Sequence, residues 1–319
     1  MNRSHRLLPI ALAAMTAALG GCRHFQWGVR QPTVPVVFQQ QPTLDQLMQT
    51  VNANTDRVQR LQADGATLTV PGAPRLRANL ALERPRRLRL RADTGLTGSE
   101  LDLGSNDELF WMWVKRNQPP TVFFARHQQY HASAARSVFS VEPQWLHEAL
   151  GLVRFDPASR HDGPFAGRDN LVEVRSVRAT PTGPQTRVAL IDGQHGFVAQ
   201  QHVYDAQGKL LASAIASDHR FDAASGVLLP HRVQVQLPPT QMAFTLAIDG
   251  YLINRLEADP ARLWTMPRME GHRYVDLADP RLPMSSPAAA PLPAASQPQA
   301  PRAAAVPWHD PTARYQGYR

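Results

Sequence analysis

The chain has a single cysteine, Cys22, in 319 residues. One thiol excludes a disulfide framework and a thiolate metal site. Lysine is almost as scarce, occurring only at Lys115 and Lys209, so 32 of the 34 basic residues are arginine. With 26 acidic residues the net charge is +8. Such a balance invites a nucleic-acid reading, but the arginines are spread along the chain rather than gathered on one helix. Long apolar runs are missing too. The stretch Leu7 to Ala18 has 12 residues, too few to cross a bilayer as a helix. There is no Gly-x-Ser-x-Gly elbow and no glycine loop to cradle phosphate. His127 and His131 are four apart, but no acid sits at ligand spacing, which argues against a metal centre. The expectation is a protein without catalytic residues, metal or cofactor, and without a nucleic-acid partner.

What is present begins at the N-terminus. Asn2 to Arg6 is a basic segment, Leu7 to Ala18 is apolar, and Leu19-Gly20-Gly21-Cys22 follows. That order is the grammar of an export signal. The tetrad resembles a bacterial lipobox, which implies removal of residues 1–21 and lipidation of Cys22, with diacylglycerol on the thiol and a further acyl (palmitate-type) chain on the new amine. The alternative is an ordinary cleaved signal with an incidental cysteine, although a lone thiol in an oxidising compartment is otherwise a liability. Export also weighs against nucleic acid. Arg23 is not the aspartate that retains enteric lipoproteins at the inner membrane, so the expected location is the outer membrane, lipid-anchored and facing the periplasm.

Residues 22–42 read as the lipidated cysteine and an extended tether, with Pro32, Pro35 and Pro42 and no helical period. Phe25, Trp27 and Phe38 rest either at the membrane interface or on the following domain. Thr43 to Gln62 reads as a helix, with Leu44, Leu47, Met48, Val51, Val58 and Leu61 on one stripe and Thr43 as the N-cap. From Ala66 the period changes to two. Short alternating segments continue to Phe124, which predicts antiparallel strands with one apolar and one wet face. Arg75, Arg77, Arg87, Arg89 and Arg91 fall on the wet side. They read as a solvated sheet face, or as a basic stripe for an anionic envelope surface. Leu109 to Val114 is apolar on both faces and should be a central strand covered on both sides. One short helix is expected within Val141 to Leu152, a polar loop at Phe155 to Arg168, and about six further strands to Ile253. Pro260 to Leu277 closes the domain. Pro280 to Pro307 has 17 Pro or Ala among 28 residues, a composition that cannot bury a core. The expected domains are therefore a 43–279 body and a 280–319 disordered tail.

The order of elements resembles the LolA/LolB-like superfamily of periplasmic lipoprotein carriers and receptors. The likeness is carried by Val51-Asn52-Ala53-Asn54, Leu80 to Leu90, Leu109 to Val114, Gln144 to Gly151 and Tyr204 to Lys209. It implies a mainly β fold with a few helices, an incomplete antiparallel β-barrel of about 11 strands wrapped around helices, with an apolar cavity between them. It also implies non-catalytic binding of acyl chains or lipoproteins by a chain that acts as a monomer. Phe110, Trp111, Met112, Trp113, Phe123 and Phe124 are the candidates for the cavity wall, or else plain core. The resemblance further places an exposed apolar residue on the loop between the third and fourth strands. Here that is Asp93 to Gly98, with Leu96 at its tip as the membrane-contact candidate; the alternative is that Leu96 tucks into the barrel mouth. A scaffolding envelope lipoprotein without ligand and an envelope hydrolase are the competing functions.

Overall fold

A computed structural model describes residues 33–132, 135–279 and 281. Cys22, the export signal, most of the proposed tether and the Pro/Ala tail lie outside the described residues.

The first helix, α1 (Leu44–Asp56), starts where the sequence places it. Thr43 and Gln46 form a reciprocal capping box: the Thr43 hydroxyl accepts from Gln46 N at 3.3 Å and Thr43 N donates to Gln46 Oε1 at 2.9 Å. The helix ends six residues before the expected Gln62 and strand β1 (Arg60–Thr69) follows. Asn254, distant in sequence, decides this. Its Oδ1 accepts from Gln59 N at 2.7 Å and its Nδ2 donates to Arg57 O at 2.7 Å. Val58 and Leu61 fit the helical stripe but belong to the turn and the strand, where both are fully buried.

Strands β2 (Leu76–Glu83), β3 (Arg87–Asp93), β4 (Ser99–Ser105), β5 (Leu109–Val114) and β6 (Thr121–Arg126) form an antiparallel series. A 3₁₀ turn (His127–Ala132) and the short helices α2 (Ala135–Val138) and α3 (Trp145–Ala149) interrupt it. The second series is β7 (Arg160–Ala166), β8 (Leu171–Thr180), β9 (Gly183–Asp192), β10 (Val198–Tyr204), β11 (Leu210–Asp222), β12 (Val227–Leu237), β13 (Met242–Ile248) and β14 (Leu252–Ile253). Helix α4 (Pro260–Leu263) and β15 (Arg273–Asp276) end the fold.

All the strands belong to one sheet of 15, in the order β15-β6-β5-β4-β3-β2-β1-β13-β12-β11-β10-β9-β8-β7, with β14 paired beside β1. The sheet is open, because β15 and β7 are its two ends. The count corrects the expected 11. The segment read as a polar loop contains β7, whose Arg160 and His161 pair with Val177 and Ser176. The closing segment supplies β15, which lies parallel to β6. Both are short and polar in pattern, so only the neighbouring strand identifies them.

The sheet curls strongly. Strands β3 and β12 are four steps apart in it, about 19 Å if it were flat at about 4.8 Å per step. Yet Leu88 and Leu90 of β3 and Val233 and Val235 of β12 wall a single void of ≈ 20 Å³. Trp145 and Leu150, on and just after α3, sit in the same core cluster as these four residues. Helix α1 buries Leu47 and Val51 against Val153, Phe155, Val174 and Ile191. Phe38 joins that cluster, and Val37 N and Phe38 N both donate to Gln194 O, at 2.8 and 2.9 Å. From Val37 onward the proposed tether is therefore part of the domain.

Strand β5 lies between β4 and β6 and is covered on both faces. Phe110 and Met112 enter one cluster with Tyr130 and Phe139, while Trp111 and Trp113 enter another with Val122.

Candidate apolar cavity and its rim loop

Alternation on the strands sets the wall of an apolar cavity. Leu101 and Leu103 on β4, and Met112 and Val114 on β5, are two residues apart and share a face. They line a cavity of ≈ 410 Å³ together with Leu68, Leu76 and Leu90 from the first series and Leu237, Met242 and Phe244 from the second. Phe139, Val141 and Leu146 close it from the helical segment. Its volume falls in the range of small-molecule sites, about 300–1,000 Å³. Polar wall residues are few: Thr94, Glu100, Arg116, Glu142 and Gln241. Pro71, Pro74, Arg116 and Gln241 are exposed and mark the rim. Glu100 is tied to Lys115 Nζ at 2.8 Å, and this contact holds its carboxyl below the usual carboxylate range.

The loop between β3 and β4 hangs at this rim, since Thr94 before Leu96 and Glu100 after it both line the cavity. Leu96 is 94% exposed; it does not tuck into the mouth. The loop is nevertheless well tied. Gly95 N donates to Asp93 Oδ1 at 2.7 Å, Thr97 N to Thr94 Oγ1 at 3.0 Å, and Lys115 Nζ to Thr97 O at 2.8 Å. Gly95 and Gly98 take φ of 78° and 81°, which glycine alone adopts without strain. Leu96 is thus held out in water by a defined turn.

Of the six aromatic and sulfur-bearing candidates, Met112 lines the cavity. Phe110 and Phe123 pack behind it against Tyr130 and Phe139, with Phe110 edge-on to Phe139 at 5.1 Å. Trp111, Trp113 and Phe124 are on the other face of the sheet, under Met266 and Met269. A run that is apolar at every position hides which half faces the cavity. The missed lining residues lie in both strand series: Leu68, Leu76, Leu90, Leu101 and Leu103 in the first, and Leu237, Met242 and Phe244 in the second. Alternation is visible in the sequence for both sets, but the approach of the second set to β4 and β5 depends on the curl.

The other face of the sheet corrects the reading of the arginine row. Arg89 is 2% exposed. Its guanidinium meets Asp102 at 2.5 Å, lies 5.0 Å over the Trp111 ring, and donates to the carbonyls of Leu263 and Thr265 at 3.1 and 2.7 Å. The segment around α4 roofs this face, so Arg89 is a buried tie and not part of a wet stripe. Arg75, Arg77 and Arg91 remain exposed.

A second, polar cavity of ≈ 280 Å³ lies on the far side of α3, lined by Trp145, Glu148, Arg187, Gln201 and His202 among others. Glu148 takes Arg187 Nη1 at 2.5 and 2.7 Å, which raises the Arg187 pKa. Gln201 Nε2 donates to Glu148 O at 2.6 Å. His127 and His131 do not converge on a metal: His127 Nε2 lies 2.9 Å from Asn106 O, and His131 Nε2 lies 2.8 Å from Glu142 Oε1. Among the described residues no group of three His, Cys, Asp or Glu could hold a metal ion, and no helix is long and apolar enough to cross a membrane.

Neither a family model nor a curated protein matches the chain. Solved structures do. A domain from Vibrio parahaemolyticus, named for outer-membrane lipoprotein sorting, is 12% identical, with 68% of this chain and 95% of that one covered and a TM-score of 0.44. A LolA superfamily protein from Nitrosomonas europaea is 11% identical, with 69% and 97% covered and a TM-score of 0.41. The chain is structurally similar to LolA-superfamily and lipoprotein-sorting proteins. A DUF1329 family protein from Desulfovibrio piger is 10% identical, with 68% and 95% covered and a TM-score of 0.45.

Proposed function

We propose that this chain is a non-catalytic binder of acyl chains, held at the outer membrane through a lipidated Cys22 and serving lipoprotein reception or lipid transport in the periplasm. One observation carries the reading: an apolar cavity of ≈ 410 Å³ opens beside a tied loop that presents Leu96 to solvent. Apolar walls of this extent gain dispersion contacts when an acyl chain lies against them. Each methylene of an acyl chain buried in it contributes about 0.8 kcal/mol. The rim loop, with Leu96 at its tip, would enter the lipid surface while the cavity receives the chain.

In this reading residues 43–279 form one domain with a half-barrel core around α3, residues 22–42 are the lipidated start and partly docked tether, and residues 280–319 are a tail outside the binding function. Cys22 makes the protein a stationary receptor, because a membrane anchor forbids free diffusion across the periplasm.

The test uses the full chain carrying Cys22→Ser, purified without detergent from bacterial envelopes. Native mass spectrometry should find acyl-bearing molecules bound, and Leu103→Trp, which fills the cavity, should remove them. A chain that carries no such molecule and does not bind a fluorescent fatty acid is a scaffold, and the proposal fails.

A further inference from the structure

The apolar cavity does not end in a solid floor. Leu90, Leu146 and Phe244 line it, and the same three residues line the ≈ 20 Å³ void beyond. That inner void is walled further by Leu80, Leu88, Val233 and Leu246, with no polar side chain in its lining. The two spaces thus form one apolar path interrupted by three side chains.

The three are held differently. Leu90 pairs with Leu80 and Leu103 in the sheet, and Phe244 pairs with Val235. Both stand on sheet strands, whose backbones the ladder holds in place. Leu146 rides on α3, a helix of five residues whose N-terminal cap lacks a side-chain hydrogen bond. It is half-buried, whereas Trp145 and Ala149 on the same helix are 1% exposed. Around α3 the packing leaves buried polar atoms unsatisfied: Trp145 Nε1, His147 Nε2 and Arg187 Nε find no partner among the described residues. Trp145 and Glu148 of α3 also line the second cavity. The weakest wall of the acyl path is therefore the one that carries Leu146.

We infer that Leu146 is the stop that sets how long an acyl chain the cavity accepts, with the void behind it as reserve depth. The inference rests on the acyl-binding reading and specifies the ligand of that same site. Shortening the side chain opens the path between the two spaces, and enlarging it closes the path earlier. Because the inner void is apolar throughout, added depth favours methylenes and no polar group.

The test measures displacement of a fluorescent fatty acid by straight-chain fatty acids from octanoate to stearate, on the full chain carrying Cys22→Ser. Leu146→Ala should move the preferred length upward, with the longer acids gaining about tenfold relative to the parent for about two further buried methylenes. Leu146→Phe should move it downward. Leu146→Val serves as the milder variant should Leu146→Ala fail to fold, and it should shift the optimum in the same direction by less. If the parent binds no fatty acid at all, the acyl-binding reading falls and the stop falls with it. If the parent binds with a clear length optimum that none of the variants moves, the stop alone is overturned.

Discussion

Arg89 Nη2 and Asp102 Oδ2 meet at 2.5 Å with their side chains only 2% and 5% exposed. Asp102 also accepts from Trp111 Nε1 at 3.2 Å, so one carboxylate organises an arginine and an indole on the covered face of the sheet. Arg89 passes the tie onward through its bonds to the carbonyls of Leu263 and Thr265. Removing one member of such a pair leaves the other charge buried and uncompensated. Asp102→Ala should destabilise the protein by about 3–5 kcal/mol, read as a lowered urea midpoint. Limited proteolysis should also begin to cut near residues 263–269, which lose their anchor.

Gly104 faces Trp111 across the β4–β5 pair. A Cβ on Gly104 would stand 2.1 Å from the indole Cζ2, and Trp111 is fully buried with nowhere to retreat. Gly104→Ala should therefore cost about 1–3 kcal/mol or more through overpacking. The companion change Trp111→Phe should recover part of that loss. A double-mutant cycle in chemical denaturation measures the coupling, and strict additivity would show that the two positions do not compete for the same space.

Leu96 is exposed and its side chain supports no packing, so Leu96→Glu should change stability by no more than about 0.5 kcal/mol. If the rim loop enters lipid, the same change should abolish co-sedimentation of the full chain carrying Cys22→Ser with phosphatidylethanolamine–phosphatidylglycerol vesicles. Undiminished co-sedimentation would remove Leu96 from the membrane surface.

One buried histidine, His147, and one half-buried one, His219, set an acid limit. Burial lowers His147 and His219 from 6.5 to about 4. His147 contacts the Arg87 backbone with Arg84 nearby, and His219 contacts the Val198 backbone beside Asp192, Asp218 and His231. Both are neutral in the folded state at pH 5, while an unfolded chain takes up protons below 6.5. The unfolded state then binds more protons, so stability falls as pH drops from about 6.5 to about 4, on the order of a few kcal/mol per group. Thermal melting across that window should show the decline. His219→Phe, which keeps the stack that His219 makes on Phe197 at 3.8 Å, should flatten part of it. An unchanged slope in the variant would mean that His219 is not one of the groups responsible.

Local chemistry made part of this fold legible in advance. Thr43 and Gln46 announce the start of α1, because a capping box needs only neighbours. The alternation from Ala66 onward announces the strands, because side chains in a strand must point to alternate faces. Leu109 to Val114 announces a doubly covered strand, because no wet face exists on it. The end of α1 was not legible, since Asn254 decides it from the far end of the domain. Strands β7 and β15 were hidden because polar edge segments become strands only when a neighbour supplies hydrogen bonds.

The site divides along the same line. Alternation alone determined that β4 presents an apolar face, unbroken apolarity that β5 has no wet one, and the residues Asp93 to Gly98 marked a turn that carries Leu96. Only the tertiary structure decided that Met112 faces the cavity while Trp111 and Trp113 face the roof, that Arg89 is buried and Arg91 is not, and that Phe244 and Leu146 complete the wall. The physical reason is that alternation assigns residues to two faces without saying what covers either one. Burial on each face is settled by the curl of the sheet and by the segments that return across it.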